Sequence, residues 1–359
     1  MVLYVWQYNE TANAFQKIAA VDELTSVIWV TRFYKSGQFE LYIPASIANF
    51  KLFSGYKYDV LITRDNSESV MIVDSILLTT DAENGNYLTI TGRSAESILG
   101  RRVIPRQTNF TGTAENCIRA LIDQNIINPT DTNRKINNFV LAAAQGYTES
   151  IEKQVTGKNL LDTISEICAA YNYGFKVTFD GVNFTFSLYK GVNRSINQTE
   201  NTPVIFSPDY ENLGNTSYEY SLLPFKTAVY VAGEGEGSAR KIQGLHYTDA
   251  HGLWRRELWV DSRNTSSATE GGDLTPEQYT AILKEQAKEA LRENMYKLDF
   301  NGEILNVNSY NYGVDYGLGD TVSIVNEYGI KGTAVVNEIT EVEEESGYSL
   351  IPTFSEWSV

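Results

Sequence analysis

The chain has little of several residue types on which enzyme sites and covalent frameworks depend. It holds only two histidines among 359 residues, so catalytic designs built on imidazole have few options. Cys117 and Cys168 are its only cysteines, and each falls on the apolar side of a predicted helix, where a reduced thiol behaves as a small hydrophobe. Two cysteines in so long a chain argue against a disulfide framework.

Long apolar runs are missing as well. No stretch approaches the roughly 18 apolar residues of a membrane helix. The N-terminal segment Met1–Tyr8 lacks the basic flank and the long apolar run of a signal peptide. We therefore expect neither a secretion signal nor stable insertion into a membrane.

Basic residues are fewer than acidic ones in this chain. The 45 acidic residues outnumber the 29 basic ones and give a formal charge of −16. A surface that grips nucleic acid needs clustered lysine and arginine, because most of its affinity comes from phosphate contacts. The sequence thus argues against stable nucleic-acid binding, and DNA is expected to pass such a surface without adsorbing.

What the chain does contain is typical of a folded, β-rich protein. Hydrophobic residues make up 42% and charged residues 21% of the sequence, which excludes wholesale disorder. Its length favours two or three domains. The 23 tyrosines, 15 phenylalanines and 26 glycines favour strands and tight turns, because aromatic side chains fit a half-buried pleated surface.

Residues 1–104 are predicted to form a small β-barrel-like domain. Phe39, Leu41 and Ile43 alternate with Glu40 and Tyr42, the period-two pattern of a sheet with one buried face. Ser94 is positioned to cap a short helix that ends near Gly100. The predicted strands are Leu3–Tyr8, Val27–Phe33, Phe39–Ile43, Asp59–Arg64, Ser69–Leu78 and Tyr87–Thr91.

Residues 105–205 are predicted to form an α+β insertion. Thr113 can cap a first helix, and Asn159 can cap a second that ends near Gly174. Asp180-Gly181 lies between two apolar runs, Phe175–Phe179 and Asn183–Leu188, and is the strongest hairpin signal in the chain.

Residues 206–359 are predicted to form a second β-barrel-like domain with a helix near 275–298. Thr275 can cap this helix, Pro276 suits its first position, and Glu293 and Lys297 would form an exposed pair. The predicted strands are Ser217–Ser221, Thr227–Ala232, Lys241–His246, Trp254–Val260, Asp299–Val307, Thr321–Val325, Lys331–Thr340 and Tyr348–Phe354. The fold class is therefore β-rich α+β, with two small β-barrel-like domains flanking an α+β insertion.

Two segments have part of the composition of a metal or phosphate site. The segment His246–His251 offers two imidazoles, but a tetrahedral metal site needs three or four ligands and no recognisable spacing supplies the others. The segment Gly233–Gly237 has the glycines of a phosphate loop, but its acidic residues would repel phosphate, so a mobile hairpin turn is the better interpretation.

Two further segments have residue types that could act on carbohydrate or bind it. The acidic run between Glu338 and Glu345 could serve glycoside hydrolysis, yet dense charge favours a solvated turn. The tyrosines of Tyr310–Tyr316 could stack on sugar rings, against the commoner role of aromatic side chains in packing and subunit contacts. We assign no catalytic, cofactor-binding or metal-binding residue and expect neither enzyme activity nor a cofactor.

Several segments, taken in order, resemble a known family. The most telling are Thr91–Arg102 after the first strands, Gly157–Asp162 at the start of the middle helix, Lys226–Arg240 with its Gly/Glu turn, and Tyr316–Val322 before a C-terminal strand. Together they resemble the siphophage and prophage tail-tip proteins of the ReqiPepy-type family, which are related in architecture to the baseplate hubs of contractile-tailed phages. The resemblance covers nearly the whole chain.

The resemblance implies a structural hub protein of the virion tail tip, assembled in the host cytoplasm. It implies a homotrimer in which each subunit contributes two barrel-like domains, so that three chains form a pseudo-sixfold ring around the tail channel. The implied partners are the distal tail protein, the tape-measure protein and a spike or fibre protein, with DNA only as passing cargo. Carboxylates facing the channel would repel DNA phosphates.

Two alternatives stay open at the sequence level. A carbohydrate-binding tail adhesin would use the tyrosines of Tyr310–Tyr316. A tail-associated peptidoglycan hydrolase is the weaker alternative, because the chain ends at Val359 soon after the second β domain, without the long extension of tail-associated lysins.

Overall fold

The structure is a computed structural model that describes residues 1–54, 57–65, 67–82, 85–269, 272–305 and 310–358. Within the described ranges, the N-terminal region contains seven strands rather than the six predicted. The additional strand, β2, carries few buried side chains, so the sequence has no clear period-two pattern there. The strands are β1 Leu3–Asn9, β2 Ala14–Val21, β3 Ser26–Arg32, β4 Gln38–Pro44, β5 Val60–Arg64, β6 Met71–Asp81 and β7 Gly85–Ser94.

Two short helical segments accompany these strands. Helix α1, Ile47–Phe53, was not predicted; it is capped by Ser46, whose hydroxyl accepts a hydrogen bond from the Asn49 N–H at 2.9 Å. The helix predicted after Ser94 is a 3₁₀ segment, Ala95–Arg101.

The α+β region confirms both predicted helices and the hairpin. Helix α2 is capped by Thr113 and helix α3 by Asn159, as the sequence predicted. Helix α3 ends at Tyr171, before Gly174, because Asn172 takes up the left-handed conformation with φ of 53°. The elements are β8 Thr108–Thr113, α2 Ala114–Ile122 with a wider π turn over Asp123–Ile127, β9 Phe139–Leu141, β10 Ser150–Val155, α3 Leu160–Tyr171, β11 Gly174–Phe179 and β12 Phe184–Tyr189.

The C-terminal region contains nine strands and one helix among the described residues. They are β13 Ile205–Phe206, β14 Gly214–Ser221, β15 Ala228–Ala232, β16 Ile242–His246, β17 Glu257–Asp261, α4 Pro276–Glu293, β18 Lys297–Glu303, β19 Thr321–Val325, β20 Lys331–Glu344 and β21 Gly347–Ser358. Helix α4 begins with the predicted cap at Thr275, which with Gln278 forms a complete capping box.

The predicted end of this helix was wrong. It stops at Glu293, and Lys297 and Leu298 belong to β18. Lys297 therefore does not pair with Glu293 along a helix; its ammonium lies 2.6 Å from Glu219 on the neighbouring strand β14.

One sheet joins the N-terminal and C-terminal β regions. Strand β3 pairs with β20 in antiparallel register from Ser26 opposite Glu344 to Arg32 opposite Glu338. The strand order is β14-β18-β21-β20-β3-β4-β7-β6-β5-β1-β2, with β13 and β19 attached through β20. The β-rich class is confirmed. The pairings of the described residues close neither region into a barrel, so the barrel-like form stays a prediction, as do the domain boundaries.

Among the described residues, the buried apolar side chains fall into four clusters. One belongs to the N-terminal strands and one to the C-terminal strands. A third combines helices α2 and α3 with Leu61, Val70 and Ile72, so the α+β region packs directly on the N-terminal sheet. The fourth lies between α4 and a separate three-stranded sheet in the order β16-β15-β17.

Candidate functional site

A cavity of about 900 Å³ lies where the N-terminal strands, the α+β region and the C-terminal strands meet. Its wall includes Arg64 from β5, Phe175 from β11 and Glu341 from β20. Concave sites in which charged groups and aromatic side chains converge are the usual places for ligand binding or for joining domains. This junction cavity is the candidate site.

A buried ion pair crosses the cavity wall. The Arg64 Nη1 lies 2.9 Å from Glu341 Oε2, and Arg64 Nη2 donates to Glu341 Oε1. Only 10% of the arginine side chain and 8% of the glutamate side chain are exposed. The guanidinium carbon lies 4.8 Å from the centre of the Trp29 ring, and the Tyr348 hydroxyl donates to Glu341 Oε2 at 2.8 Å. The pair thus ties β5 to β20, one strand from each β region.

The structure brings the sequence-predicted tyrosines to this cavity. Tyr310, Tyr312 and Tyr316 all contribute to its wall, and Tyr348 joins them from β21. Tyr316 is 2% exposed and packs edge-on against Phe206 at 5.3 Å. Burial raises the pKa of Tyr312 and of Tyr316 above the usual range for tyrosine. Tyr316 is therefore a packing residue, and Tyr310 and Tyr312 are half-buried beside it.

The turn Tyr316–Val322 is held by one carboxylate. Asp320 accepts hydrogen bonds from the Gly317 N–H at 2.9 Å, the Val192 N–H at 2.6 Å and the Arg194 Nε at 2.9 Å. Gly319 has φ of +86°, and a Cβ there would lie 2.3 Å from the Phe33 ring. This sequence therefore fixes the C-terminal strands to the segment that leaves the α+β region.

The acidic run Glu338–Glu345 was wrongly interpreted as a solvated turn. Residues up to Glu344 belong to the long strand β20, and only Glu345 lies in the turn that follows. Glu338 pairs with Arg32 at 2.5 Å and Glu341 with Arg64, while Glu343 accepts from the N-terminal ammonium. The partners lie far away in the sequence, so the charge density of the run gave no sign of them.

The histidines contribute no metal cluster in the part of the chain that the structure describes. His246 Nδ1 lies 2.9 Å from the Tyr247 carbonyl oxygen, and His251 precedes a short 3₁₀ turn. No group of three or more histidine, cysteine, aspartate or glutamate side chains in the described ranges could hold a metal ion.

The segment Gly233–Gly237 lies in the turn between the antiparallel strands β15 and β16, which confirms the predicted hairpin turn, while its mobility stays a prediction. Its acidic residue Glu234 is anchored. Lys241 Nζ lies 2.8 Å from one carboxylate oxygen, and the Ser267 N–H donates to the other at 2.8 Å. Partial burial would raise the Glu234 pKa, but the bonds from Lys241 and Ser267 outweigh it and lower the pKa to about 2.

This anchor gives an expected pH dependence. Because folding lowers the Glu234 pKa, the ionised carboxylate stabilises the folded protein. This contribution is fully present above the ordinary pKa of a glutamate and is lost as pH falls towards 2. Glu234→Gln should lower the free energy of unfolding at pH 7 by about 1 kcal/mol or less, since the pair is partly exposed. The difference from wild type should disappear near pH 2.

Urea unfolding of both proteins at several pH values measures this effect. Glu236→Gln, a change of an exposed carboxylate in the same turn, is the matched control. Wild-type and Glu234→Gln curves that coincide at every pH would show that the anchor contributes nothing to stability.

The negative charge is concentrated in the C-terminal region. Residues 206–359 contain 25 of the 45 acidic side chains and 11 of the 29 basic ones, a formal charge of −14. The rest of the chain is thus close to neutral.

As for membranes, none of the helices within the described residues has the length and apolar character required to span one.

Comparison with solved structures shows a shared fold. A tail protein from Neisseria meningitidis MC58 is 15% identical and matches with a TM-score of 0.59, covering 99% of this chain and 96% of that one. The 43 kDa tail protein of prophage MuSo2 from Shewanella oneidensis is 10% identical, with a TM-score of 0.57 and coverage of 99% and 98%. Prophage tail protein gp18 from Listeria monocytogenes EGD-e is 12% identical, with a TM-score of 0.54 and coverage of 99% and 94%.

Sequence comparison supplies the family. No curated protein matches the chain. The model of the Siphovirus ReqiPepy6 Gp37-like proteins, in contrast, matches residues 2–354. This match spans all three regions and the sheet that joins them, and it confirms the resemblance drawn from the sequence segments. The chain therefore belongs to the family of Siphovirus ReqiPepy6 Gp37-like proteins.

Proposed function

We propose that the chain is a non-enzymatic structural subunit of a phage or prophage tail tip, of the baseplate-hub type. The observation that carries this proposal is the fold shared over 99% of the chain with three tail proteins. Membership of a siphovirus family agrees with it. The protein would then be a component of the virion tail, assembled in the host cytoplasm.

In this proposal three copies form a ring around the tail channel. Each copy contributes two β regions, 1–104 and 206–359, so a trimer presents six and matches a six-fold tail tube. The pairing of β3 with β20 and the Arg64–Glu341 pair support such a role, because they hold the two β regions of one subunit at a fixed spacing. The α+β region 105–205 would lie towards the periphery or the distal face of the ring.

The proposed partners follow from the same position. The ring would contact the distal tail protein, the tape-measure protein and a spike or fibre protein. DNA would pass through the channel without binding. The charge of −14 on residues 206–359 supports this, because carboxylates facing the channel would repel phosphates.

Electron microscopy of the purified protein and of intact virions tests the proposal. We expect three-subunit rings. In solution the fraction of the protein that forms rings should rise with protein concentration, because subunit contacts obey mass action. A protein that stays monomeric at every concentration and also fails to join the distal tail protein would contradict the hub function.

Carbohydrate binding is the second candidate, and the observation that favours it is the cavity with Tyr310 and Tyr312 in its wall. Glycan binding that is lost when either tyrosine is replaced would support this candidate function. A peptidoglycan hydrolase would instead release fragments from purified cell walls.

A further inference from the structure

The two β regions repeat one arrangement of five strands. The first sheet unit consists of β3, β4, β5, β6 and β7, and the second of β14, β18, β19, β20 and β21, with β15, β16, β17 and α4 inserted after β14. Both units pair in the same antiparallel order, which is β3-β4-β7-β6-β5 in the first and β14-β18-β21-β20-β19 in the second. Each strand of one unit therefore has a counterpart in the other.

An irregularity at the same place in both units supports this correspondence. The register of β6 against β7 shifts between Val73 and Ser75, and the register of β20 against β21 shifts between Val336 and Glu338. One extra residue lies in β6 and in β20 at these shifts, as in a β-bulge. Strand β6 thus corresponds to β20 residue by residue, with Val73 in the place of Val336.

The two corresponding strands differ in what lies along their second edge. Strand β20 is paired with β21 along one edge, and its other edge is shared between β19 and residues 26–32 of β3. The matching edge of β6 is paired with β5 only at Met71 and Ile72. Along residues 73–80, no strand within the described ranges takes the place that β3 takes on β20.

Strand β14, the counterpart of β3, lies at the other end of the sheet. Strand β3 pairs with β4 on one side and with β20 on the other. Strand β14 pairs with β18 on one side, and on its other side the order of described strands ends. The sheet therefore joins its two units through β3 and β20, while the equivalent strands β14 and β6 lie at opposite ends.

Both of these edges carry exposed apolar side chains. On β6, Leu77 is 60% exposed and Leu78 is 51% exposed. On β14, Tyr218 is 36% exposed and Tyr220 is 56% exposed. Neither β14 nor residues 73–80 contain lysine, arginine or proline, with which proteins commonly protect a sheet edge. Such edges favour pairing with a strand of another chain.

A row of mutually opposite residues crosses both units at the same place. The rows are Val73, Gly92, Phe39 and Trp29 in the first unit, and Val336, Phe354, Phe300 and Tyr218 in the second. Trp29 on β3 and Tyr218 on β14 are therefore equivalent positions. This equivalence fixes the register in which β14 would repeat the pairing of β3.

The pairing of β3 with β20 predicts which residues would meet. Ile28 lies opposite Val342 in that pairing. Counted from the equivalent rows, Ser217 stands in the place of Ile28, and Thr79 stands in the place of Val342. The same register would thus bring Ser217 of one copy of the chain opposite Thr79 of another.

We propose that β14 of one copy of this chain pairs antiparallel with residues 73–80 of β6 in a second copy, repeating between subunits the pairing that joins β3 to β20 within one. Main-chain hydrogen bonds extend the sheet across this contact, and the exposed Leu78 packs against Tyr218. The two sides differ, so repeating the contact can close a ring. The inference rests on the proposed hub function and names the two edges that would join its subunits.

Disulfide cross-linking tests both the contact and its register. Thr79→Cys combined with Ser217→Cys in the full-length chain places two thiols directly opposite each other, within reach of a disulfide. We expect mild oxidation to link copies covalently, as seen on a non-reducing gel, whereas neither single substitution should do so. The native cysteines are buried. Thr79→Cys combined with Glu257→Cys, at an exposed position of β17, is the matched control and should not cross-link.

A second variant tests the contact without cysteine. Leu78→Glu removes an apolar contact and places a charge on the edge, so assembly measured by sedimentation should need a concentration about tenfold higher or more. Leu78→Met keeps the apolar contact and should assemble like wild type. Val182→Glu, which changes a side chain that is 58% exposed in the α+β region, should also assemble like wild type. Unchanged thermal unfolding establishes that each variant is folded.

The possible results separate this contact from the hub function. Multimers that form in wild type, tolerate Leu78→Glu and are not cross-linked by the cysteine pair would overturn the contact and leave the hub proposal standing. Cross-linking by Thr79→Cys alone would show a symmetric pairing of two β6 edges and would also overturn it. A wild-type chain that never assembles, either alone or with the distal tail protein, would overturn both.

Discussion

Glu341→Ala is expected to lower the free energy of unfolding by about 3–5 kcal/mol. The substitution leaves the Arg64 guanidinium, with 10% of its side chain exposed, without its carboxylate partner and stacked on the buried Trp29 ring. It also removes the acceptor of the Tyr348 hydroxyl. An uncompensated charge that water reaches poorly is among the most destabilising changes in a folded protein. Urea unfolding followed by fluorescence measures the loss.

Two variants test whether the loss of stability comes from the unpaired buried charge. Glu10→Ala breaks an exposed pair with Lys57 and should leave the free energy of unfolding close to that of wild type. Arg64→Met combined with Glu341→Leu removes both charges and should recover most of the stability lost in Glu341→Ala, because apolar side chains can fill the same space. A Glu341→Ala protein within about 1 kcal/mol of wild type would show that Arg64 finds water or another partner.

The parts of the fold that the sequence predicted are those decided by neighbouring residues. Thr113, Asn159 and Thr275 begin helices because a side-chain oxygen bonds to a backbone N–H two or three residues later. The hairpin at Asp180-Gly181 is equally local: Gly181 has φ of +99°, which other residues rarely adopt. Such interactions can be read from a short stretch of sequence.

The junction cavity could not be predicted in this way. Arg64 and Glu341 lie 277 positions apart, and their strands β5 and β20 belong to the two β regions that the pairing of β3 with β20 joins. The same pairing places the acidic run in a strand, where Glu338, Glu341 and Glu343 find partners in Arg32, Arg64 and the N-terminal ammonium. Sequence reasoning did single out Tyr310–Tyr316 and Tyr316–Val322, which line the cavity, but from residue type and resemblance rather than from their contacts.

A second buried charge joins the α+β region to helix α4. The Lys153 ammonium on β10 lies 2.6 Å from Glu289 on α4 and 3.8 Å from Glu166 on α3. Only 5% of the lysine side chain is exposed. Burial alone would lower the Lys153 pKa, but the neighbouring Glu289 carboxylate raises it above the usual value, so the lysine is charged in the folded protein. Three separate elements thus meet at one cation.

Glu289→Ala is therefore expected to lower the free energy of unfolding by about 3 kcal/mol at pH 7, towards the lower end for a broken buried pair because Glu166 remains as a weaker partner. Without Glu289, burial dominates and the Lys153 pKa falls below that of the unfolded chain. The unfolded state then binds more protons, so the variant should gain stability relative to wild type as pH rises. Glu277→Ala, at the exposed start of the same helix, should cost about 1 kcal/mol or less and show no such trend. Urea unfolding of the three proteins between neutral and alkaline pH distinguishes these outcomes. If the stability that Glu289→Ala loses relative to wild type does not shrink as pH rises, Lys153 keeps its proton through Glu166. If Glu289→Ala is as stable as wild type at pH 7, Glu289 does not hold the α+β region to α4.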